Sequence, residues 1–369
     1  MADLVPGEVF EYGGRTIIYI MAGKPDHDKY FKKRSKDMKK LLALTLALCL
    51  VFSLGAISAS AADDFHLTMR LSHVFGPTEQ LAISIQEAAD NIREKTDGAI
   101  DIQVFHSSQL PTYKDGVEQV VSGANFISVE DPSYIADYVP DFNVLVGPMM
   151  TSNSDEYEYL LQTETVQNMI KKLEDDNIKV LALDFFSGYR FMKTNKEIYT
   201  PDDLKGMKIR VPKSQLFVDT LNAMGANAIP LGWDETLSAV TQGVVDGLEG
   251  TMDDFLNDGS GEVASVGSLT NHFIGTCGVY FPLNVWETIP EEYQTIIQDE
   301  FTASAQRMIE KINSSYEDTK AKLEETGHTF NEVDTEAFAA AVAPVYENMK
   351  NVTPGLYEEF REALANMPK

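Results

Sequence analysis

Two arginines twenty residues apart carry the most specific chemistry in this sequence: Arg190 in SGYRFMKTN and Arg210 in LKGMKIRVP. Lys208–Val211 alternates polar and apolar residues, as a half-buried strand does. A buried guanidinium needs a partner, and its planar fork of donors matches a carboxylate through two parallel bonds. A strand, a loop, a helical turn at PDDLKG and a second strand fit the interval, so two adjacent strands would aim both groups at one place. The partner is either an acid of this chain or one that arrives from outside. On spacing alone, with 57 Asp+Glu in the chain, an internal salt bridge is the stronger reading.

Other residues stand where a ligand would be met. Trp233 follows a strand in IPLGWDE and precedes a helix, where it either floors an apolar part of a ligand or packs locally. Glu130 and Asp131 follow a strand in SVEDPSY; they either accept hydrogen bonds from a hydroxylated ligand or cap the turn before Pro132. His73 and Tyr113 lie beside strand-to-helix connections, and ligands of open α/β sheets bind beyond the carboxyl ends of strands. Asp246 and Glu249, in GVVDGLEG, read as a turn between glycines, orienting the arginines or facing water. Catalytic signatures are missing: there is no G-x-S-x-G, H-E-x-x-H, C-x-x-C or P-loop. No cofactor or metal is expected, and the glycine-rich Gly259–Gly267 lacks phosphate-loop spacing and reads as a loop.

The elements that must position these residues follow from periodicity. Strands at Phe65–Leu71, Ala99–Val104 and Asn125–Val129 alternate with helices at Thr78–Lys95 and Tyr113–Ser122, an order that points to an α/β layer architecture. A longer helix is expected over Asp155–Asp175, then a buried strand at Lys179–Phe185. Short strands follow at Arg190–Thr194, Lys208–Val211 and Asn227–Pro230, with helices Gln215–Met224 and Trp233–Gln242 between and after the last two. The run His272–Pro282 is strand-like. From Pro290 a helical pattern continues to about Glu325, near 50 Å at 1.5 Å per residue, longer than one small domain. Two helices, Asp334–Lys350 and Pro354–Asn366, close the chain.

Composition bounds the partners. The 369 residues are 44% hydrophobic and 24% charged, with a net charge of −27. Such a chain does not seek nucleic acid or an anionic membrane. Residues 1–61 stand apart. A basic stretch, Asp28–Lys40, precedes the uncharged run Leu41–Ile57 and an A-x-A site at Ala59–Ala61, the order of a secretory signal peptide over 38–61. A retained membrane anchor is the competing reading, but the run is just short of a span. Met38 reads as the natural start, with 1–37 an upstream extension. From Ala62 on, the only cysteine is Cys277, so no internal disulfide is expected, and a buried small hydrophobe is the plainer reading of it.

SSQLP, GYRFMKTNKEIYTPDDLKGMKIRVP, MGANAIPLGWDETLSAVTQGVVDGLEG and PLNVWETIPEEYQTII, in this order and spacing, resemble the extracytoplasmic solute-binding proteins of TRAP transporters, the DctP family, over nearly all of Asp63–Lys369. The resemblance implies an α/β two-lobe periplasmic-binding-protein fold with hinge strands and a long helix spanning both lobes. It implies lobe I at 62–187 plus 276–315 and lobe II at 188–275 plus 316–369. It further implies a ligand carboxylate clamped by Arg210, the arginine of the family's K-[IL]-R-V-P motif, with Arg190 as the second arginine and Trp233 as the aromatic. Where the family often has V-D-G-Q-E-N-P, this chain has VDGLEGT, with Gly250 at the asparagine position; a tryptophan replaces the common phenylalanine. The clamp is carried over and the substrate is not. The expected function is therefore capture of a carboxylate-bearing small molecule (a C4-dicarboxylate, keto acid or sugar acid) for a TRAP membrane permease. The protein is expected to be a monomer outside the cytoplasm, binding no nucleic acid and doing no chemistry. The ligand-binding candidates are Arg210, Arg190, Trp233, His73, Glu130, Tyr113, Glu249 and Gly250. A secreted enzyme acting on an acidic substrate and a receptor feeding a sensor kinase are the competing functions.

Overall fold

The computed structural model describes residues 9–12, 15–18, 65–257 and 259–368. Strands β1 (Val9–Tyr12) and β2 (Arg15–Ile18) pair as an antiparallel hairpin. The leader expected over 38–61 lies outside the described residues, as does most of the extension expected over 1–37. From Phe65 the chain forms one compact unit.

That unit is built on β3 (Leu67–Ser72), α1 (Gln80–Lys95), β4 (Ile100–Phe105), α2 (Tyr113–Val121) and β5 (Phe126–Glu130), then the short helices α3 (Phe142–Leu145), α4 (Ser154–Leu161) and α5 (Glu164–Lys172). The long strand β6 (Ile178–Thr194) leads to β7 (Lys208–Val211), α6 (Gln215–Ala223), β8 (Asn227–Pro230), α7 (Trp233–Thr241), β9 (Gly247–Gly250) and α8 (Met252–Asn257). A second long strand, β10 (Val266–Pro282), precedes α9 (Leu283–Trp286), α10 (Glu291–Glu325), β11 (Thr329–Asn331), α11 (Thr335–Asn348) and α12 (Leu356–Ala365). The sheet runs β4-β3-β5-β10-β6-β9-β7-β8, with β11 beside β10.

Two strands of 17 residues, β6 and β10, join the halves of this sheet. They pair antiparallel, and their register shifts between Gly275 and Thr276, where Gly188 faces Gly275. Gly188 holds φ +108°, open to glycine at no steric cost, and a Cβ on Gly275 would lie 2.8 Å from the Gly188 carbonyl oxygen. The sequence predicted two separate strands at 179–185 and 190–194. They are one strand, because the Ser187-Gly188 interruption is absorbed as an irregularity within the ladder. The single helix predicted over 155–175 is instead α4, α5 and a 3-10 turn at Leu173–Asp176. Thr163 starts α5 afresh by accepting a hydrogen bond from the Val166 amide.

The long helix α10 ties both halves together. Ile297, Phe301, Ala305 and Met308 pack into the core that Leu81, Ile85 and Ile92 of α1 share with β3 and β4. At its far end Leu323 packs with Phe191, Met252 and Phe255. This is the two-lobe α/β architecture expected from sequence, with one helix running along both halves. Among the described residues no helix is long and apolar enough to cross a membrane.

Candidate functional site

Three strands converge on one cavity of about 60 Å³. Arg190 comes from β6, Arg210 from β7, and Glu130 from the end of β5; Tyr113 at the start of α2 and Trp233 at the start of α7 complete the wall from opposite sides. The sequence predicted that the two arginine strands would be neighbours. They are not, because β9 lies between β6 and β7.

The intervening strand settles the role of Glu249. GLEG was predicted to be a turn; it is a fully buried strand. A Cβ on Gly247 would lie 2.5 Å from the Lys193 carbonyl oxygen, so glycine permits close strand pairing there rather than a turn. Glu249 takes Arg190 bidentately, accepting from Nε at 2.5 Å and from Nη2 at 2.8 Å. Burial alone would draw the Arg190 guanidinium down, yet Glu249 holds it above its ordinary value. Burial likewise opposes ionisation of Glu249, and Arg190 overcomes it, holding the carboxyl below its usual range. Behind the pair, His272 is pushed down to about 4 by burial, against the pull of Glu249. Its Nδ1 lies 2.8 Å from the Thr270 hydroxyl. Neutral at physiological pH, His272 adds no charge.

Arg210 is different. It is 1% exposed, and no carboxylate of the described residues holds it. Nε and Nη2 both donate to the Leu231 carbonyl, at 3.0 and 2.7 Å, and the guanidinium carbon lies 5.2 Å from the Trp233 ring centre. Burial draws its pKa below the ordinary arginine value. A buried cation held by one neutral acceptor and an aromatic face is costly. An external anion is the natural complement.

The rest of the wall is acidic and partly unsatisfied. Glu130 accepts from the Tyr113 amide at 2.6 Å, and burial pushes its carboxyl up to about 8. Asp131 caps the turn before Pro132 by accepting from the Ser133 amide; burial raises it to about 6. The Tyr134 hydroxyl is buried without a hydrogen-bond partner. The Tyr113 hydroxyl accepts from the Trp233 amide at 2.7 Å, a bond that joins α2 to α7.

A second contact joins Trp233 Nε1 to Glu79 Oε1 at 3.4 Å. Glu79 also accepts from the Gly76 amide at 2.7 Å, while its Oε2 has no partner. Burial, and then the charges of Asp254 and Asp253, push Glu79 up to about 8. For an acid raised from 4.5 the sign is definite. The protonated form is favoured by folding, so full stability is present below pH 4.5 and is lost as pH rises towards about 8. Glu79→Gln should therefore stabilise the protein relative to the parent at pH 8 and change it little at pH 4.5. Urea unfolding of both proteins at the two pH values measures this.

Three further candidates do not reach the cavity wall. His73 is buried, its Nε2 3.2 Å from His106 Nδ1, and the next two residues, Val74 and Phe75, line the cavity instead. Glu249 stands behind Arg190. Gly250 is buried in β9, where a Cβ would meet Asp254 Oδ2 at 2.6 Å; Asp254 itself caps α8 by accepting from the Thr251 amide. Sequence reasoning did not single out Tyr134, Ser187, Phe217, Asp254 or Thr276 as lining residues. For Tyr134 a signal existed, two residues beyond Pro132 in the same post-strand turn as Glu130. Cys277, expected to be a small buried hydrophobe, is buried and forms part of the wall.

The model of the bacterial extracellular solute-binding proteins of family 7, DctP, matches residues 71–352. Among solved structures, the chain is similar to a TRAP periplasmic solute binding protein from Desulfovibrio salexigens in complex with diglycerolphosphate: 52% identity, TM-score 0.80, with 82% of this chain and 97% of that one covered. It is also similar to one from Fusobacterium nucleatum with bound sn-glycerol-3-phosphate (37%, 0.80, 81% and 97%). A third, from Actinobacillus succinogenes with bound L-galactonate, is 30% identical with TM-score 0.78, covering 81% and 100%.

Proposed function

The chain belongs to the DctP family of bacterial extracellular solute-binding proteins, and from that premise we propose that it captures a small organic anion in the cavity of Arg210 and delivers it to a TRAP membrane permease. Arg210 carries this reading: a buried guanidinium whose ties among the described residues are to a carbonyl and an aromatic ring. A carboxylate or phosphate accepts from its remaining donors, and charge-assisted bonds of this kind are about twice as strong as neutral ones. Trp233 covers one face of the ligand. Arg190, fixed by Glu249, lends a second donor edge.

The sequence pointed to a carboxylate. The D. salexigens and F. nucleatum proteins hold phosphate esters, whereas the A. succinogenes protein holds a sugar acid. The proposed ligand class therefore includes small phosphate esters beside organic acids. The protein works outside the cytoplasm, exported by the leader at 38–61, and changes no bond of its cargo. Its two lobes, 62–187 plus 276–315 and 188–275 plus 316–369, divide at the Gly188–Gly275 pair, where the irregular ladder supplies a hinge. The bonds from Trp233 to Tyr113 and Glu79 then act as a clasp on the closed form.

A melting-temperature screen tests this against sn-glycerol 3-phosphate, diglycerol phosphate, L-galactonate and succinate. A true ligand at 100 times its Kd should add about 2.7 kcal/mol of stability. No shift with any of these anions, together with turnover of one of them, would instead support a secreted enzyme.

A further inference from the structure

We propose that Glu79 is a proton-linked latch: closing the two lobes around a ligand takes up one proton from solvent at this carboxyl, so capture tightens as the medium turns acidic. This deepens the proposed capture function and rests on the lobe division given for it.

Glu79 stands just before α1 in lobe I, where elements of lobe II meet it. Trp233 Nε1, at the start of α7, donates to Glu79 Oε1 at 3.4 Å. One residue on, the Gln80 amide donates to Asp253 Oδ2 of α8 at 2.9 Å. Closure therefore seats Glu79, only 4% exposed, against the charges of Asp254 and Asp253. The cations of this region lie towards other acids. Burial raises the Asp253 carboxyl, and Lys193 of β6 works against that rise; Arg190 is held by Glu249. Oε1 of Glu79 has two donors, the Trp233 indole and the Gly76 amide, while Oε2 has none. A carboxylate there leaves negative charge on a buried oxygen without a donor. A carboxylic acid leaves a neutral hydroxyl, which costs far less to bury.

In the closed arrangement burial, and then Asp254 and Asp253, hold Glu79 at about 8. With lobe II withdrawn, the indole and both aspartates leave, and the carboxyl meets water, where its ordinary value is 4.5. Between these values the closed form carries a proton that the open form lacks. Closure thus strengthens as pH falls through this window and weakens as pH rises past about 8. Glu130 and Asp131 are also raised by burial. They keep their bonds to the Tyr113 and Ser133 amides inside lobe I, so a change at Glu79 alone tells them apart.

Calorimetric titration of the full chain tests the latch. The probes are L-galactonate and the diester of phosphate with two glycerols, whose charges are constant between pH 6 and pH 8. The parent should bind at least about tenfold more tightly at pH 6 than at pH 8. Titration at pH 7 in two buffers of different ionisation enthalpy should count about one proton taken up per ligand. Glu79→Gln keeps the size and the acceptor oxygen and cannot ionise. It should bind at pH 8 about as tightly as the parent at pH 6, and take up no proton. A pH dependence that survives undiminished in Glu79→Gln overturns the latch while leaving capture intact. A proton count near zero in the parent does the same, whether or not the variant folds. Binding of neither probe at either pH counts against capture itself, and the latch falls with it.

Discussion

Arg210→Met is expected to raise the stability of the unliganded protein while abolishing its response to ligand. The side chains are of similar length, and Met fills irregular space well. What disappears is a buried cation whose two bonded nitrogens share one carbonyl oxygen. Replacing buried ionic groups by apolar ones of similar volume is often stabilising, by about 1–4 kcal/mol. The Leu231 carbonyl then loses its donors, which returns about 1 kcal/mol. The net gain should be about 1–2 kcal/mol, read as a higher urea midpoint at unchanged slope. Binding moves the other way: losing one partner of a buried charge pair costs about 2–5 kcal/mol, at least a thirtyfold loss of affinity. A structural arginine would give destabilisation together with retained binding.

Glu249→Gln should be the most damaging single change in the site. Arg190 is 13% exposed at its side chain and Glu249 is 0% exposed. Removing the carboxylate's charge leaves a buried guanidinium without its counter-ion and costs about 3–5 kcal/mol, a large share of a typical domain's stability. The neutral His272 behind the pair cannot supply the missing negative charge. The paired change Arg190→Met with Glu249→Leu should recover much of the loss, because no unmatched charge then remains. A double-mutant cycle in urea measures the coupling. Losses that simply add would mean that the two residues act independently.

The contrast between these two arginines was only half legible in the sequence. Alternation marked Lys208–Val211 as a strand, and the strand formed over those residues. The partner of Arg190 was hidden, because GLEG has the composition of a turn. Only tertiary pairing with Phe191–Thr194 on one side and with Ile209 and Arg210 on the other makes it a strand. Long periodic segments were easiest to read, as in the 35-residue helix α10, since a repeat over many turns outweighs any single residue. Local punctuation was harder. Thr163 is an ordinary helix residue until its side chain caps the Val166 amide, and Gly188 suggested a loop although it sits inside a strand. His73 lay in a suitable connection, but a side chain's direction is not encoded in its position along the chain. The Tyr134 hydroxyl escaped notice because its lack of a partner is a property of the packed cavity.

A crystal structure of the protein grown with its tightest-binding anion tests the central claim most directly. The acidic group should lie about 2.7–3.2 Å from the Arg210 guanidinium nitrogens, with Leu231 still accepting from the same side chain. An anion seated elsewhere, with Arg210 bonded only to the Leu231 carbonyl, would contradict it.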